Sequence, residues 1–434
     1  MRRLVLDTAW VLASRLVMRG ANMVALFMLA RALPVADFGF YGFLVATTLI
    51  LTVGLDLGVR QAGAYAIGQR GVPAGAVAAT SVGLLAILTP LGAAATWYAC
   101  TFGGYRLDNH LLLAAAMVTP PQLVMRTLQG PFLGLKRVAE LNVGELAVRA
   151  VLLLLTVPTF FQGLLDLETA LLILVAAQWT GAVMLLGQLL VRVRPLALPS
   201  PKLALNLVSD GLPFLAGIIG VILFSRVGIW AVAGLDQPEL VGRYVGALRM
   251  TELLAEIATA VGVAVFAHGV QQDKDGRGAS DTIRLVRLLT LGMVVYAVIV
   301  ALFAPQILRI GFGEAYVGEA GALRLMLPGA VLGCQASMLY PGLSARGQAK
   351  LGLLIFGPGT MVHGVLVWWL APLLGVAGAA IGYTVGQTVV AMAVLLAWNR
   401  IFGTPFIELL LPSAADGRAM MRLLRRRGDS TGPD

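Results

Sequence analysis

Long apolar stretches separated by short polar or Gly/Pro-containing breaks recur along the whole chain. A membrane-spanning helix needs about 20 mostly apolar residues. Twelve stretches meet that length: 7–31, 38–59, 74–101, 109–133, 140–161, 168–191, 209–233, 240–266, 283–305, 318–342, 349–371 and 376–400. None shows the ten-residue alternation of an outer-membrane barrel strand. The pattern predicts an all-α polytopic membrane protein. Its connections are too short for a large extramembrane catalytic domain.

Composition supports that reading. Hydrophobic residues make up 59% of the 434 positions and charged residues only 12%, against about a quarter charged in soluble domains. The net charge of +10 invites a nucleic-acid reading, but its distribution argues against one. The N-terminus, the even-numbered connections and the C-terminal tail hold 21 Lys and Arg, and the odd-numbered connections hold four. By the positive-inside rule, this places both termini in the cytoplasm. In the tail, basic residues alternate with Met420, Met421, Leu423 and Leu424 between Arg418 and Arg427. That pattern suits either a short amphipathic helix on the anionic inner leaflet or a solvated basic segment. Arg15, Arg19 and Asn22 interrupt the apolar core that a signal peptide would need, so the first segment reads as a retained helix. Cys100 and Cys334 form no disulfide framework, and His110, His268 and His363 lack metal-ligand spacing. No metal is expected.

The charges inside the apolar segments are the candidate chemistry. A guanidinium near the bilayer centre costs roughly 2.5–3.5 kcal/mol on insertion scales. Chains that keep several normally turn them toward a shared polar interior. Arg15, Arg19, Arg126, Arg149, Arg226 and Arg249 occupy five such segments and point to an anion-handling cavity. Arg15 and Arg19 share a helical face that Asn22 extends, and no acid accompanies them there. Arg149 stands four residues after Glu145, and Glu252 three after Arg249, spacings that predict local ion pairs. Arg126, about two turns from its segment's end, has the reach to snorkel outward. Asp56, Glu252 and Glu256 are candidates for coupling to protons or sodium, and pairing with arginines is an equal reading of them.

An internal repeat is also visible. Gly39-Phe40-Tyr41 and Gly242-Arg243-Tyr244 each open a segment, 203 residues apart. This suggests two six-helix halves of like orientation, related by a pseudo-two-fold axis along the membrane normal. The expected division is an N-terminal lobe 1–193, a linker 194–207, a C-terminal lobe 208–402 and a basic tail 403–434. Pro120-Pro121, Pro328 and Pro358 offer bending points for a rocking motion.

At these residues the chain resembles a known family. Arg31-Ala32-Leu33 with Phe38-Gly39-Phe40-Tyr41 resembles the opening signature of bacterial O-antigen and polysaccharide flippases. These belong to the multidrug/oligosaccharidyl-lipid/polysaccharide (MOP) exporter superfamily. Asp56-Leu57-Gly58, Gln129-Gly130, Gly134-Leu135-Lys136-Arg137, Gly242 with Tyr244, and Gly375 to Ile381 extend the likeness over most of the chain. Pro34 replaces the family's usual Gly, and Gly228 stands where an acid often follows the arginine corresponding to Arg226.

The resemblance implies a non-enzymatic transporter in the bacterial cytoplasmic membrane with a MATE-like fold. It would move undecaprenyl-pyrophosphate-linked oligosaccharide between leaflets without a cofactor, in contact with membrane lipids and alongside other polysaccharide assembly proteins. Arg15, Arg19, Asn22, Arg226, Arg249, Arg126 and Arg149 would then hold the pyrophosphate, because a guanidinium fork binds phosphate bidentately and stays charged. Three other readings stand beside it. A drug exporter of the superfamily should have an acidic or aromatic interior, a lipid II flippase should have fourteen helices, and a polysaccharide polymerase or ligase should have a larger loop.

Overall fold

The structure, a computed structural model, describes residues 20, 22–194, 197–272, 278–343 and 351–403. Among these, every regular element is helical. The helices are α1 (Asn22–Ala32), α2 (Val35–Leu55), α3 (Val59–Gly68), α4 (Ala74–Ala99), α5 (Asn109–Ala116), α6 (Thr119–Gly134), α7 (Val138–Phe161), α8 (Leu167–Arg192), α9 (Pro201–Ala233), α10 (Pro238–Gln272), α11 (Gly278–Leu302), α12 (Ala304–Gly311), α13 (Ala320–Leu343), α14 (Leu351–Leu374) and α15 (Val376–Phe402). A 3₁₀ turn, Glu314–Glu319, precedes α13.

Eight helices are long and apolar enough to span a membrane, or ten if two bent pairs each count as one span. One pair bends by 54° within α9, and the other by 80° between α11 and α12. These ten correspond to ten of the twelve expected segments. The other two, 7–31 and 240–266, lie partly outside the described residues or have undescribed side chains there. Leu154, Phe161, Leu354 and Trp369 are exposed, as side chains facing lipid would be.

Two segments expected to be single helices are broken. Segment 38–59 ends at Leu55, and α3 restarts at Val59 after Leu57 and Gly58 take positive φ of 51° and 74°. Segment 109–133 divides at Met117 and Val118 because Pro120 and Pro121 occupy the first turn of α6. There proline's fixed φ suits a helix start and its missing N–H breaks no hydrogen bond. These prolines therefore open a helix rather than bend one. Pro328 and Pro358 do lie within helices.

The chain forms two compact units. One runs to Gly246 and includes Leu308–Tyr316; the other comprises Ala247–Ile307 and the chain from Val317. The division does not fall at the expected linker 194–207. Ser200 caps α9, its hydroxyl accepting from the Leu203 amide, so 201–207 is helical. In addition, α9 packs on α2 and α3 within the first unit. The tail beyond 403 lies outside the described residues.

Within the first unit α2 is central, with Phe38, Phe40, Phe43 and Leu44 fully buried. Small residues let other helices approach it closely. A Cβ on Gly39 would stand 2.6 Å from the Gly242 amide nitrogen, and one on Gly242 would strike the Val35 carbonyl. The repeated Gly-x-Tyr is thus a glycine-on-glycine crossing of α2 and α10, with Tyr41 and Tyr244 both buried beside it. At the other end of α2, Gly58 and Gly211 meet so tightly that a Cβ on either would strike the other's backbone or that of Leu57. Arg70 pairs with Asp210 next to this contact. In the second unit α15 lies against α13 and α14, its Gly378, Gly382 and Gly386 set against α14.

Candidate functional site

The break after α2 gathers a charged interior among the described residues of the first unit. Asp56 is fully buried there. Its carboxylate accepts a 2.8 Å hydrogen bond from the Thr127 hydroxyl, and one oxygen lies 3.5 Å from the Arg60 amide at the start of α3. Arg126 of α6 brings its Nε to 3.5 Å from Asp56 Oδ2. Arg126 does not take the alternative of snorkelling outward: a desolvated carboxylate holds it inward. Only 17% of its side chain is exposed.

Arg60 sits within electrostatic range of Arg126, Asp56 and Glu145. Its backbone fits against α6 because Gly130 has no side chain; a Cβ there would stand 2.8 Å from the Arg60 carbonyl oxygen. Glu145 of α7 accepts from Gln129 Nε2 at 3.3 Å and pairs with Arg149 at 3.5 Å. The ion pair predicted by the i, i+4 spacing is thus present, on a more open rim than Asp56: 30% of the Arg149 side chain and 46% of Glu145 are exposed. Three helices so gather three guanidinium groups and two carboxylates. Nearby, the Thr52 hydroxyl meets Gln122 Oε1 at 3.1 Å.

A second polar group lies in the second unit. Arg249 and Glu252 form the expected i, i+3 pair at 2.6 Å. Thr251 and Gln387 reach the Tyr383 hydroxyl, and Glu252 is within electrostatic range of it. Gln387 can lie against α13 because position 333 is glycine. The buried His363 ring meets Tyr383 edge-on, centroids 5.6 Å apart.

Of the sequence candidates, Asp56, Arg126 and Arg149 come together in one cluster, and Arg249 with Glu252 in another. Arg226 is half-buried on α9, and Asn22 is exposed at the start of α1. Arg15, Arg19 and the Glu256 side chain lie outside the described residues. Sequence reasoning missed Arg60 by counting it among the connection charges. The available signal was its i, i+4 spacing from Asp56, obscured by the Leu57-Gly58 break. No group of three metal-ligating side chains occurs among the described residues.

Comparison with known proteins gives this arrangement a context. The lipid II flippase MurJ, in an inward closed conformation, superposes with a TM-score of 0.72 over 97% of this chain and 93% of its own, at 10% identity. A multidrug resistance MATE transporter of the MOP superfamily, in an inward-facing conformation, gives 0.64 over 88% of this chain and 93% of its own, at 19% identity. These likenesses establish the fold. A Shigella flexneri protein named as an O-antigen transporter is 25% identical over 182 residues. That match covers 41% of this chain and 42% of the Shigella protein, so the chain spans under half of that relative's length. Residues 4–266 match the family described as Polysaccharide biosynthesis protein. With that match over more than half its length, on the all-helical fold of the MOP superfamily, the chain belongs to the polysaccharide biosynthesis protein family.

Proposed function

We propose that the protein is a flippase carrying undecaprenyl-pyrophosphate-linked oligosaccharide from the cytoplasmic to the periplasmic leaflet by alternating access. The observation that carries this reading is a cationic cluster at the ends of the membrane helices of a polysaccharide biosynthesis protein. Among the described residues it gathers Arg60, Arg126 and Arg149 around Asp56 and Glu145. An unassisted pyrophosphate and sugar head would cross hydrocarbon at several kcal/mol per unsatisfied polar group. Fixed cationic donors lower that barrier. Arg15, Arg19, Asn22, Arg226 and Arg249 would extend the cationic path, and Asp56, Glu252 and Glu256 are the acids available for coupling to H⁺ or Na⁺. The loop charges support an inner-membrane protein with both termini cytoplasmic.

Deleting the gene and extracting lipids tests the reading. A lipid-linked oligosaccharide should accumulate on the cytoplasmic side, and the Arg15→Ala/Arg19→Ala variant should fail to clear it. Polymer formation by the purified protein from labelled lipid-linked donor would instead identify a polymerase and end the transporter reading.

A further inference from the structure

The pairing around Asp56 leaves the cluster short of acceptors. Arg60 and Arg126 repel one another across a buried interior, and both are drawn to the same carboxylate. Glu145, the second acid, already engages Gln129 and Arg149. A guanidinium carries five N–H donors. Yet neither the Arg60 nor the Arg126 side chain donates a hydrogen bond to any other described residue, and the Nε of each is buried. Buried donors are normally satisfied. Two guanidinium groups within electrostatic range of one another, one paired with Asp56 and the other near it, therefore call for a multi-oxygen anion.

We infer that Arg60 and Arg126 form a binding site for the phosphoryl group of a lipid, entered along α7 past Glu145 and Arg149. A phosphoryl group offers enough oxygens for both forks at once, and each planar guanidinium fork can meet two of them bidentately. The entrance follows from exposure. Only 17% of the most apolar window of Ala139–Phe161 is buried, so an acyl or prenyl tail can lie along α7 while the head reaches the half-exposed rim. Arg126 stands eight residues before the end of α6, about 12 Å along the helix at 1.5 Å per residue. The phosphoryl group has two sources, the head group of a membrane phospholipid or the pyrophosphate of a lipid-linked saccharide. Only the second rests on the proposed function.

The test uses the full chain purified in detergent and titrated separately with geranylgeranyl pyrophosphate and dioleoyl phosphatidylglycerol, with binding read by native mass spectrometry. Wild type should bind at least one probe. Arg60→Gln should weaken that binding tenfold or more, Arg60→Lys should recover it only in part, and Glu145→Gln should tighten it severalfold by removing a competing anion. Arg60→Gln leaves the Asp56–Arg126 pair in place, so a thermal melt can verify its fold independently of Arg126→Gln. Binding of the pyrophosphate probe assigns the site to cargo, and binding of phosphatidylglycerol alone assigns it to a bound membrane lipid. The inference is overturned if neither probe binds, if Arg60→Gln binds like wild type, or if Glu145→Gln weakens binding as much as Arg60→Gln does. The deletion experiment reports on the flippase reading independently, since it leaves the lipid-binding result untouched.

Discussion

Replacing Asp56 by Asn and Arg126 by Met, singly and together, tests whether the buried pair is a coupled unit. The charges stand 3.5 Å apart, with Asp56 fully buried and Arg126 17% exposed. At an effective dielectric constant near 20, Coulomb's law puts the attraction at about 5 kcal/mol. Removing one partner of such a pair leaves a desolvated charge and typically costs about 3–5 kcal/mol. The two losses should not be equal. Arg60 backs up Arg126 in facing Asp56, whereas no other fully buried acid stands in for Asp56 among the described residues. Asp56→Asn should therefore be the more harmful substitution, although it preserves the shape that Thr127 meets at 2.8 Å. The double variant should be about 1–3 kcal/mol more stable than the sum of the singles predicts. Unfolding of the purified protein in mixed micelles with increasing dodecyl sulfate gives the three differences. Additivity within about 0.5 kcal/mol would refute the pairing and mark Arg126 as a solvated side chain.

Other consequences follow from packing and capping. Gly242→Ala forces a Cβ onto the Val35 carbonyl, whereas Gly54→Ala meets nothing within 4 Å. The first should destabilise by about 1–3 kcal/mol and the second should be neutral or stabilising by up to about 1 kcal/mol through helix propensity. Melting both variants in detergent compares them directly, and equal shifts would contradict the crossing. Asp166, outside the spanning segment, caps α8 by accepting from the Thr169 amide at 2.8 Å, which holds its carboxyl below the ordinary carboxylate value. Its contribution is thus full above the unfolded value and is lost as pH falls through the folded one. Asp166→Ala should cost about 0.5–1 kcal/mol near neutral pH, with the gap to wild type closing in acid; melts at pH 7 and pH 3 check this.

Whatever depends on local spacing was legible in the chain. Ten of the expected spans appear as helices or bent helix pairs because a run of about 20 apolar residues has few alternatives to a helix in hydrocarbon. The Glu145–Arg149 and Arg249–Glu252 pairs were equally legible, since residues three or four apart on a helix are neighbours. The Gly-x-Tyr repeat could be seen, but that its two glycines touch could not, because 203 residues separate them. Likewise, nothing local tells that Asp56 faces Arg126, 70 positions away, or that Arg60 turns inward after the break at Gly58.

Hydropathy by itself therefore determined the class of the protein and the place of its helices, because the bilayer penalises every unsatisfied backbone group. Tertiary packing decided which charges meet. Gly130 lets α6 approach α3 at Arg60, and Gly58 lets the break after α2 approach α9 at Gly211; this packing desolvates Asp56 and leaves Arg126 facing it. Charge pairing at such a site depends on burial and distance, which only the folded chain supplies.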